Sequence, residues 1–271
     1  MEYVTEIMNS KISVRDLNKS FINNGQSRQI LKNINFTVRE GEFICFLGPS
    51  GCGKSTILNL ISGLDTSYEG KIYIEGKLAN DSSDSQLTKR MTYLFQEPRL
   101  LPWLTVEKNL YFALKCAKIP KKEWKEQVTN MLNLVHLSGM EKHYIHELSG
   151  GMQHRVAIAR AFIVNPDIIL MDEPFSALDE LTARSIRDTL LEIWRKDRKT
   201  ILFVTHNAME ATFLSDRIFM FSANPGEIDE IYEDKLERPR KYESEELFRT
   251  NQEVVSHFMT IIGRDKHEKN A

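Results

Sequence analysis

Hydrophobic and polar residues alternate in the first part of the chain. The alternation over residues 11–21 and 29–38 predicts two half-buried strands, because successive side chains of a strand point to opposite faces. In the second segment the predicted inward face consists of Ile30, Ile34, Phe36 and Val38. The uninterrupted apolar run at 43–47 instead predicts a strand that is covered on both faces. Segments 70–76 and 91–95 are predicted to be further strands.

A helical period follows in the middle of the chain. Residues 54–64 predict a helix whose buried side contains Ile57, Leu58, Leu60 and Ile61. Between Pro98 and Ser149 apolar residues recur at helix spacing, and they are Val106, Leu110, Leu114, Val128, Leu132 and Val135. Prolines at one end of this region and glycines at the other mark the borders of an inserted helical unit.

Strands and helices alternate again after this insert, which predicts an α/β protein. The predicted order is helix 153–164, strand 167–171, helix 178–196, strand 199–206, edge strands 217–222 and 227–233, and terminal helix 244–262. The inward face of the helix at 178–196 is predicted to consist of Leu181, Ile186, Leu190 and Trp194. The polar residues 263–271 are predicted to form a disordered tail.

Charge, apolar run length and cysteine spacing limit the classes of function that the chain can have. A net charge of −2 and a pI near 6.4 give no electrostatic reason to expect nucleic-acid binding. No apolar run approaches the roughly 20 residues of a membrane helix, and the acidic N-terminus is unlike a signal peptide. Cys45, Cys52 and Cys116 have no metal-ligand spacing, which fits a reducing, cytosolic setting.

A phosphate-binding loop lies between the apolar strand and the first helix. Gly48, Gly53, Lys54 and Ser55 match the pattern G-x-x-x-x-G-K-[ST] in the required strand-to-helix context. The amides of such a loop and the positive end of the helix attract one anion. We expect Lys54 to reach the β and γ phosphates and Ser55 to bind Mg²⁺. The residues predicted to hold the nucleotide here are Gly48, Pro49, Ser50, Gly51, Cys52, Gly53, Lys54, Ser55 and Thr56.

Two adjacent carboxylates follow a buried strand farther along the chain. Because alternate residues of a strand face opposite ways, Asp172 can face a metal while Glu173 faces an attacking water. Solvated acids that simply end a strand are the alternative. A P-loop upstream strengthens the catalytic interpretation.

A second helix N-terminus that carries glycines helps to decide between two classes of P-loop protein. Ser149, Gly150 and Gly151 precede a helix and form a second anion site on the same chain. A small-molecule kinase would instead need a lid and an acceptor pocket. Two phosphate-binding helix starts on one chain are difficult to use on a single nucleotide.

These motifs in this order resemble the ATP-binding cassette (ABC) family, and the resemblance covers nearly the whole chain. The ordered set is the P-loop at 48–56, Gln96, "LSGGMQ" at 148–153, Asp172 with Glu173, "SALD" at 176–179, and His206. The resemblance implies a RecA-like P-loop NTPase core with an N-terminal antiparallel β subdomain and an inserted α-helical subdomain. The implied domains are 11–97 and 151–225 for the two parts of the core, 98–150 for the helical signature subdomain, and 226–271 for a short C-terminal extension.

The resemblance also implies roles for single residues in a head-to-tail homodimer that encloses two ATP molecules. Ser149, Gly150 and Gly151 of one subunit would complete the P-loop site of the other, and Asp179 would cross the interface. The implied catalytic residues are Lys54, Gln96, Glu173 and His206, and the implied Mg²⁺ ligands are Ser55, Gln96 and Asp172. Phe21 lies where the family places an aromatic ring under adenine.

Each of these roles has a structural alternative. Gln96 could be a surface residue beside a turn, and His206 could be a structural histidine. Asp179 could cap the helix that follows it, and this role is compatible with an interface role. Phe21 could be a core residue.

The resemblance favours a transporter subunit. The chain has neither a second cassette nor a long coiled coil, which typify soluble family members. The apolar stretch of Leu100, Leu101, Trp103 and Leu104 is expected to accept a helix of a separate membrane permease, although packing within the helical unit is the alternative. The segments 95–103 and 222–240 resemble importers of nitrate, sulfonates and taurine. We therefore expect an ATPase on the cytoplasmic face of the membrane that serves a permease and, indirectly, a solute-binding protein. A soluble ABC ATPase with a mechanical or regulatory role is the alternative.

Overall fold

The computed structural model describes residues 7–23, 26–79 and 90–268, with side chains described as far as residue 263. The strands are β1 (Ile12–Asn23), β2 (Gln26–Val38), β3 (Phe43–Leu47), β4 (Glu69–Ile74), β5 (Lys77–Leu78), β6 (Met91–Leu94), β7 (Ile168–Asp172), β8 (Thr200–Thr205), β9 (Arg217–Phe221) and β10 (Ile228–Glu233). The helices are α1 (Lys54–Ile61), α2 (Val106–Cys116), α3 (Lys121–Leu134), α4 (Gly150–Phe162), α5 (Glu180–Asp197), α6 (Ala208–Leu214) and α7 (Glu245–Glu268).

The chain divides into two units, Met1–Thr88 with Thr200–Ala271, and Lys89–Lys199. The predicted α/β alternation is confirmed by the order of the elements. The domain boundaries at 97, 150 and 225 stay a prediction.

The first unit contains an antiparallel sheet in the order β2-β1-β4-β5. The structure buries Leu31 completely and leaves Ile30 only partly covered, so the predicted inward role of Ile30 is wrong. The reason is an extra residue in β2: Leu17 pairs with Ile34 but Lys19 pairs with Leu31. Asn33 takes up this residue with a φ of 48°, and the alternation reverses there.

The same unit contains β3 with parallel neighbours on both sides. β8 and β9 flank β3, and β10 pairs antiparallel with β9 at the edge. All five residues of β3 are buried, as its apolar run predicts. A cluster of edge-to-face rings, Phe36, Phe46, Phe219 and Phe221, fills the space beside this strand.

The second unit contains the parallel pair β6–β7 and the helices α2 to α5. The predicted apolar faces of α2 and α3 are buried. On α5, Ile186, Leu190 and Trp194 are buried as predicted, but Leu181 is 80% exposed and its predicted inward role is wrong. Leu181 precedes Leu190 by two and a half helical turns and therefore faces the opposite way.

The terminal helix is longer than predicted. α7 continues through residues 263–268, where the sequence suggested a disordered tail, and residues 269–271 lie outside the described residues. None of the helices in the described part of the chain has the length and apolar character needed to cross a membrane.

Candidate functional site

The loop between β3 and α1 is tightly curved. Gly53 caps the start of α1 with a φ of 101°, a conformation that costs other residues free energy. A Cβ atom on Gly53 would lie 2.5 Å from the Leu31 side chain. This position therefore requires glycine both for its backbone conformation and for space.

Lys54 lies inside the curve of this loop. The side chain is 5% exposed, and its Nζ donates to the carbonyl oxygens of Gly48 and Pro49, both at 2.8 Å. The ammonium group and the N-terminal end of α1 thus place positive charge at one point of the loop. Ser55 lies in the first turn of the helix and is exposed. This arrangement suits a chain of phosphates.

Cys52 is the buried member of the loop. Burial raises the pKa of its thiol, and the nearby Lys54 ammonium only partly opposes this shift. The thiol therefore stays protonated near neutral pH and is not a nucleophile.

Gly226, which sequence reasoning missed, packs against the phosphate-binding loop. Its amide donates to the carbonyl of Ile30 at 2.8 Å, and its carbonyl accepts from the amide of Lys32 at 3.0 Å. A Cβ atom on Gly226 would lie 1.9 Å from the carbonyl oxygen of Cys52. The available signal was the pair Pro225–Gly226, which by itself indicates only a turn.

His206 follows β8 at the same sheet edge as the phosphate-binding loop. Leu47 and Thr205, the last residues of β3 and β8, are register partners, so Gly48 and His206 leave the sheet side by side. The turn is fixed because Thr205 Oγ1 donates to Glu210 at 2.6 Å and accepts from the Asn207 amide at 3.0 Å. His206 is exposed, which leaves its contact with a γ-phosphate a prediction.

Phe21 is 45% exposed, so the alternative of a core phenylalanine is wrong. The Lys19 ammonium lies 4.7 Å from the centroid of the Phe21 ring. Lys19 itself is 3% exposed and forms an ion pair with Asp65 at 2.7 Å. Stacking of Phe21 on adenine stays a prediction.

Asp172 and Glu173 lie where β7 ends in the second unit. The strand ends at Asp172, and Glu173 follows with a φ of 44°. The backbone therefore turns into the left-handed region at Glu173, where the sequence suggested only the alternation of a strand. The Tyr93 hydroxyl donates to Asp172 Oδ2 at 3.1 Å. Burial, followed by the Asp172 charge, raises the pKa of Tyr93 well above its usual value, so the phenol stays protonated.

Gln96 is joined to the turn after β7. Its Nε2 donates to Ser176 Oγ at 3.1 Å, and Ser176 Oγ donates to the carbonyl oxygen of Glu173 at 3.0 Å. Sequence reasoning placed Ser176 in a motif but gave it no role. Within this unit the structure therefore brings together Gln96 and the turn that carries Glu173.

Ser149 caps α4. Its hydroxyl accepts from the Met152 amide at 3.3 Å, and both Ser149 and Gly150 are exposed. Gln153 donates to the carbonyl oxygens of Ile145 and Leu148, which holds the preceding turn. The hydroxyl hydrogen of Ser149 is thereby available to an outside acceptor, at the positive end of a 13-residue helix.

Asp179 caps α5, so the capping alternative is confirmed. Its side chain accepts from the Thr182 amide at 3.0 Å. Hydrogen bonds with the Thr182 side chain and, after it, with the Thr182 amide hold the pKa of the Asp179 carboxyl below its usual value. The Asp179 side chain is exposed, and an additional interface role stays a prediction.

Two residues that sequence reasoning missed hold the loop after Gln96. Buried Asn109 bonds to the backbone of Leu101 and to the carbonyl oxygens of Leu104 and Thr105. Arg160 donates to the carbonyl oxygens of Pro98 and Arg99. A polar residue on the apolar face of α2 was the available signal for Asn109. Trp103 is 69% exposed, so the alternative of packing within the helical unit is wrong for this residue, whereas Leu100, Leu101 and Leu104 are half-buried.

The side chains predicted to bind Mg²⁺ offer a hydroxyl, an amide and a carboxylate oxygen, which are the hard ligands that this ion takes. Within the described residues no cluster of three or more His, Cys, Asp and Glu side chains could hold a metal. Asp172 is the one carboxylate among the predicted ligands, and Mg²⁺ is commonly bound through one or two carboxylates together with substrate phosphates.

Comparisons with known proteins agree with this geometry. A family model described as "ABC transporter" matches residues 31–176. The aliphatic sulfonates import ATP-binding protein SsuB of Bacillus cereus is 42% identical over 247 residues, which are 91% of this chain and 95% of that protein. The nitrate import ATP-binding protein NrtD of a Synechocystis species is 36% identical over 270 residues, which are 96% of this chain and 98% of that protein.

A solved structure is also similar. It is the dimeric structure of a post-hydrolysis state of the ATP-binding cassette MJ0796 bound to ADP and Pi. It is 35% identical with a TM-score of 0.73, and the match covers 83% of this chain and all of that one. This likeness confirms the predicted RecA-like cassette fold.

Proposed function

The chain belongs to the ABC transporter family and is an ATP-binding ATPase, and from this premise we propose that it energises the import of a small anionic solute. The observation that carries the proposal is the near full-length similarity to subunits named for sulfonate and nitrate import. The solute would pass through a separate permease, and a solute-binding protein would deliver it. The ATPase would then sit on the cytoplasmic face of the membrane.

The P-loop residues are the proposed phosphate contacts. Lys54 would exchange its bonds to the Gly48 and Pro49 carbonyls for bonds to the β and γ phosphates of ATP. Phe21 would stack on adenine with its exposed ring, and His206 would donate to the γ-phosphate. Catalysis of this kind depends on positioning and charge stabilisation.

Glu173 is the proposed group that orients the attacking water. The bonds from Gln96 to Ser176 and from Ser176 to the Glu173 carbonyl support this role, because they tie the water-binding amide to the turn that carries the carboxylate. Ser55, Gln96 and Asp172 are the proposed ligands of Mg²⁺. When bound, the ion would neutralise charge on the β and γ phosphates.

A head-to-tail homodimer would complete each site. Ser149, Gly150 and Gly151 lie at the exposed, positive start of α4, where they can meet a phosphate held by another subunit. Asp179 would contribute to the same interface. The similar MJ0796 cassette forms a dimer with ADP and Pi, which supports this arrangement.

The loop at 98–105 is the proposed permease contact. Trp103 is exposed while Asn109 and Arg160 fix the backbone around it, so the loop presents an ordered apolar side chain. A short helix of a membrane subunit is the proposed occupant. The proximity of this loop to Gln96 along the chain would couple permease movement to hydrolysis.

The first test is light scattering on Glu173→Gln after size exclusion, with and without ATP and Mg²⁺. We expect a monomer without nucleotide and a dimer with it, because closure needs ATP while the variant cannot orient water. If the wild-type protein with ATP and Mg²⁺ forms a dimer that lasts as long as the dimer of Glu173→Gln, the proposed role of Glu173 is contradicted.

Co-purification with a co-expressed multi-spanning permease separates the importer from a soluble ABC factor. We expect capture by wild-type protein and loss of capture in Trp103→Ala with ATP binding unchanged. If the wild-type protein does not co-purify with any membrane partner, the alternative of a soluble ABC ATPase is favoured.

A further inference from the structure

Tyr93 and Asp172 are diagonal neighbours on one face of the β6–β7 pair. The register pairs Tyr93 with Leu170, and Asp172 lies two residues beyond Leu170 on the same strand. Because residues two apart share a face of a strand, the phenol and the carboxylate emerge on the same side. The observed hydrogen bond from the Tyr93 hydroxyl to Asp172 Oδ2 follows directly from this register.

The orientation of the phenol is itself fixed by the loop that carries Gln96. The rings of Tyr93 and Phe95 stack with centroids 4.3 Å apart and an interplanar angle of 25°. The Arg99 guanidinium covers the Phe95 ring at 3.8 Å, and Arg160 holds the Arg99 carbonyl oxygen at 2.8 Å. A continuous set of contacts thus runs from α4 through this loop to the carboxylate.

We propose that Tyr93 is a positioning residue that orients the Asp172 carboxylate toward the metal–ATP complex. The phenol donates to Asp172 Oδ2 at 3.1 Å, and this hydrogen bond restricts the rotation of the carboxylate. Partners of this kind tune metal sites because they fix the ligand before the ion arrives. The inference rests on the metal role of Asp172 under the proposed function. It adds that the geometry of Asp172 depends on the conformation of residues 95–99.

The test is Tyr93→Phe, which keeps the ring stack and removes only the hydroxyl. The binding of a non-hydrolysable ATP analogue is measured by calorimetry with Mg²⁺ and again with EDTA, and the two affinities are expressed as a ratio. We expect this ratio to fall on the order of tenfold in the variant while the affinity in EDTA is unchanged. The Mg²⁺ concentration for half-maximal ATP hydrolysis should rise in parallel.

Tyr232→Phe is the matched control. It removes a phenol–carboxylate hydrogen bond of the same kind, from Tyr232 to Glu253 Oε2 at 2.9 Å, outside the proposed site. Its ratio should equal that of the wild type. Asp172→Asn supplies the reference for complete loss of the carboxylate ligand.

Three outcomes would overturn the proposal in distinguishable ways. If the affinity ratio is that of the wild type in Tyr93→Phe but falls in Asp172→Asn, the positioning role is refuted and the proposed function is left intact. A wild-type ratio in Asp172→Asn would refute the metal role of Asp172 itself. Equal losses of affinity with Mg²⁺ and with EDTA, accompanied by a lower melting temperature, would show that Tyr93 only supports the fold.

Discussion

At the scale of single residues, Gly226 is a glycine beside the phosphate-binding loop that has no space for a side chain. Replacing it with alanine would force the new methyl group against the carbonyl oxygen of Cys52. We expect Gly226→Ala to lower the free energy of unfolding by about 1–3 kcal/mol, as overpacking does, and to weaken ATP binding. Urea denaturation and nucleotide titration measure the two effects.

Gly263→Ala is the control for this substitution. Gly263 lies within α7, and an added Cβ would meet no atom within 4 Å. Because alanine favours helix more than glycine, stability should rise by up to about 1 kcal/mol with ATP binding unchanged. Equal effects of both variants would contradict the specific contact at Gly226.

Thiol reactivity tests the burial of the loop cysteine. Cys45 and Cys52 are buried, burial raises the pKa of both thiols, and Cys116 is exposed. Since the thiolate is the reactive form, we expect one fast-reacting thiol per chain with Ellman's reagent at pH 8. Cys116→Ser should abolish this phase, and unfolding should release the remaining thiols. A second fast thiol in the native protein would show that the loop opens readily.

At the scale of elements, substitutions of Asp179 distinguish its role as the cap of α5 from its predicted role at the dimer interface. Asparagine caps helices as well as aspartate, whereas alanine does not. We expect Asp179→Ala to unfold at a lower urea concentration and Asp179→Asn to unfold close to wild type. If the carboxylate also crosses the interface, both variants should lose ATPase activity. Full activity in Asp179→Asn would limit this residue to capping.

The same cap predicts a pH dependence of stability. Hydrogen bonds with the side chain of Thr182 and, after it, with its amide lower the pKa of Asp179 from its usual 3.8, so the native state favours the ionised carboxyl. The stabilisation is therefore complete above about pH 3.8 and is lost as the pH falls through the lower native value. The stability difference between wild type and Asp179→Ala, measured by urea denaturation, should shrink over this acid range. A difference that stays constant would contradict a charge-dependent cap.

The hydrophobic patterns predicted the positions of the helices and strands well. They were least reliable in predicting which side chains of an element are buried. The type of β2 was clear from alternation, but the extra residue at Asn33 exchanged Ile30 for Leu31 in the buried face. The apolar character of Leu181 suggested burial, while its angle on α5 placed it in solvent. The extra residue at Asn33 depends on the exact strand register, which composition does not encode, whereas the outward angle of Leu181 follows from its spacing of two and a half helical turns to Leu190.

At the scale of the whole molecule, motifs indicated the candidate site, but its supporting contacts were beyond sequence reasoning. The phosphate-binding loop and the acidic strand end have local patterns that dictate their chemistry. Gly226, Arg160 and Tyr93 act on residues distant in sequence, through contacts that only the fold creates. A single chain also cannot display a site that two chains share, so the predicted dimer needs a test that mixes subunits.

Complementation between two inactive variants provides that test. Ser149→Arg would place a bulky cation at the start of α4 while its own P-loop stays intact, and Lys54→Ala would have the opposite defect. Each homodimer then contains only defective sites, whereas a heterodimer contains one site in which an intact P-loop meets an intact Ser149. We expect each variant alone to lack ATPase activity, Ser149→Arg monomers to bind ATP normally, and the mixture to regain part of the activity. If each chain completed its own site, mixing would restore nothing, and the head-to-tail arrangement would be refuted.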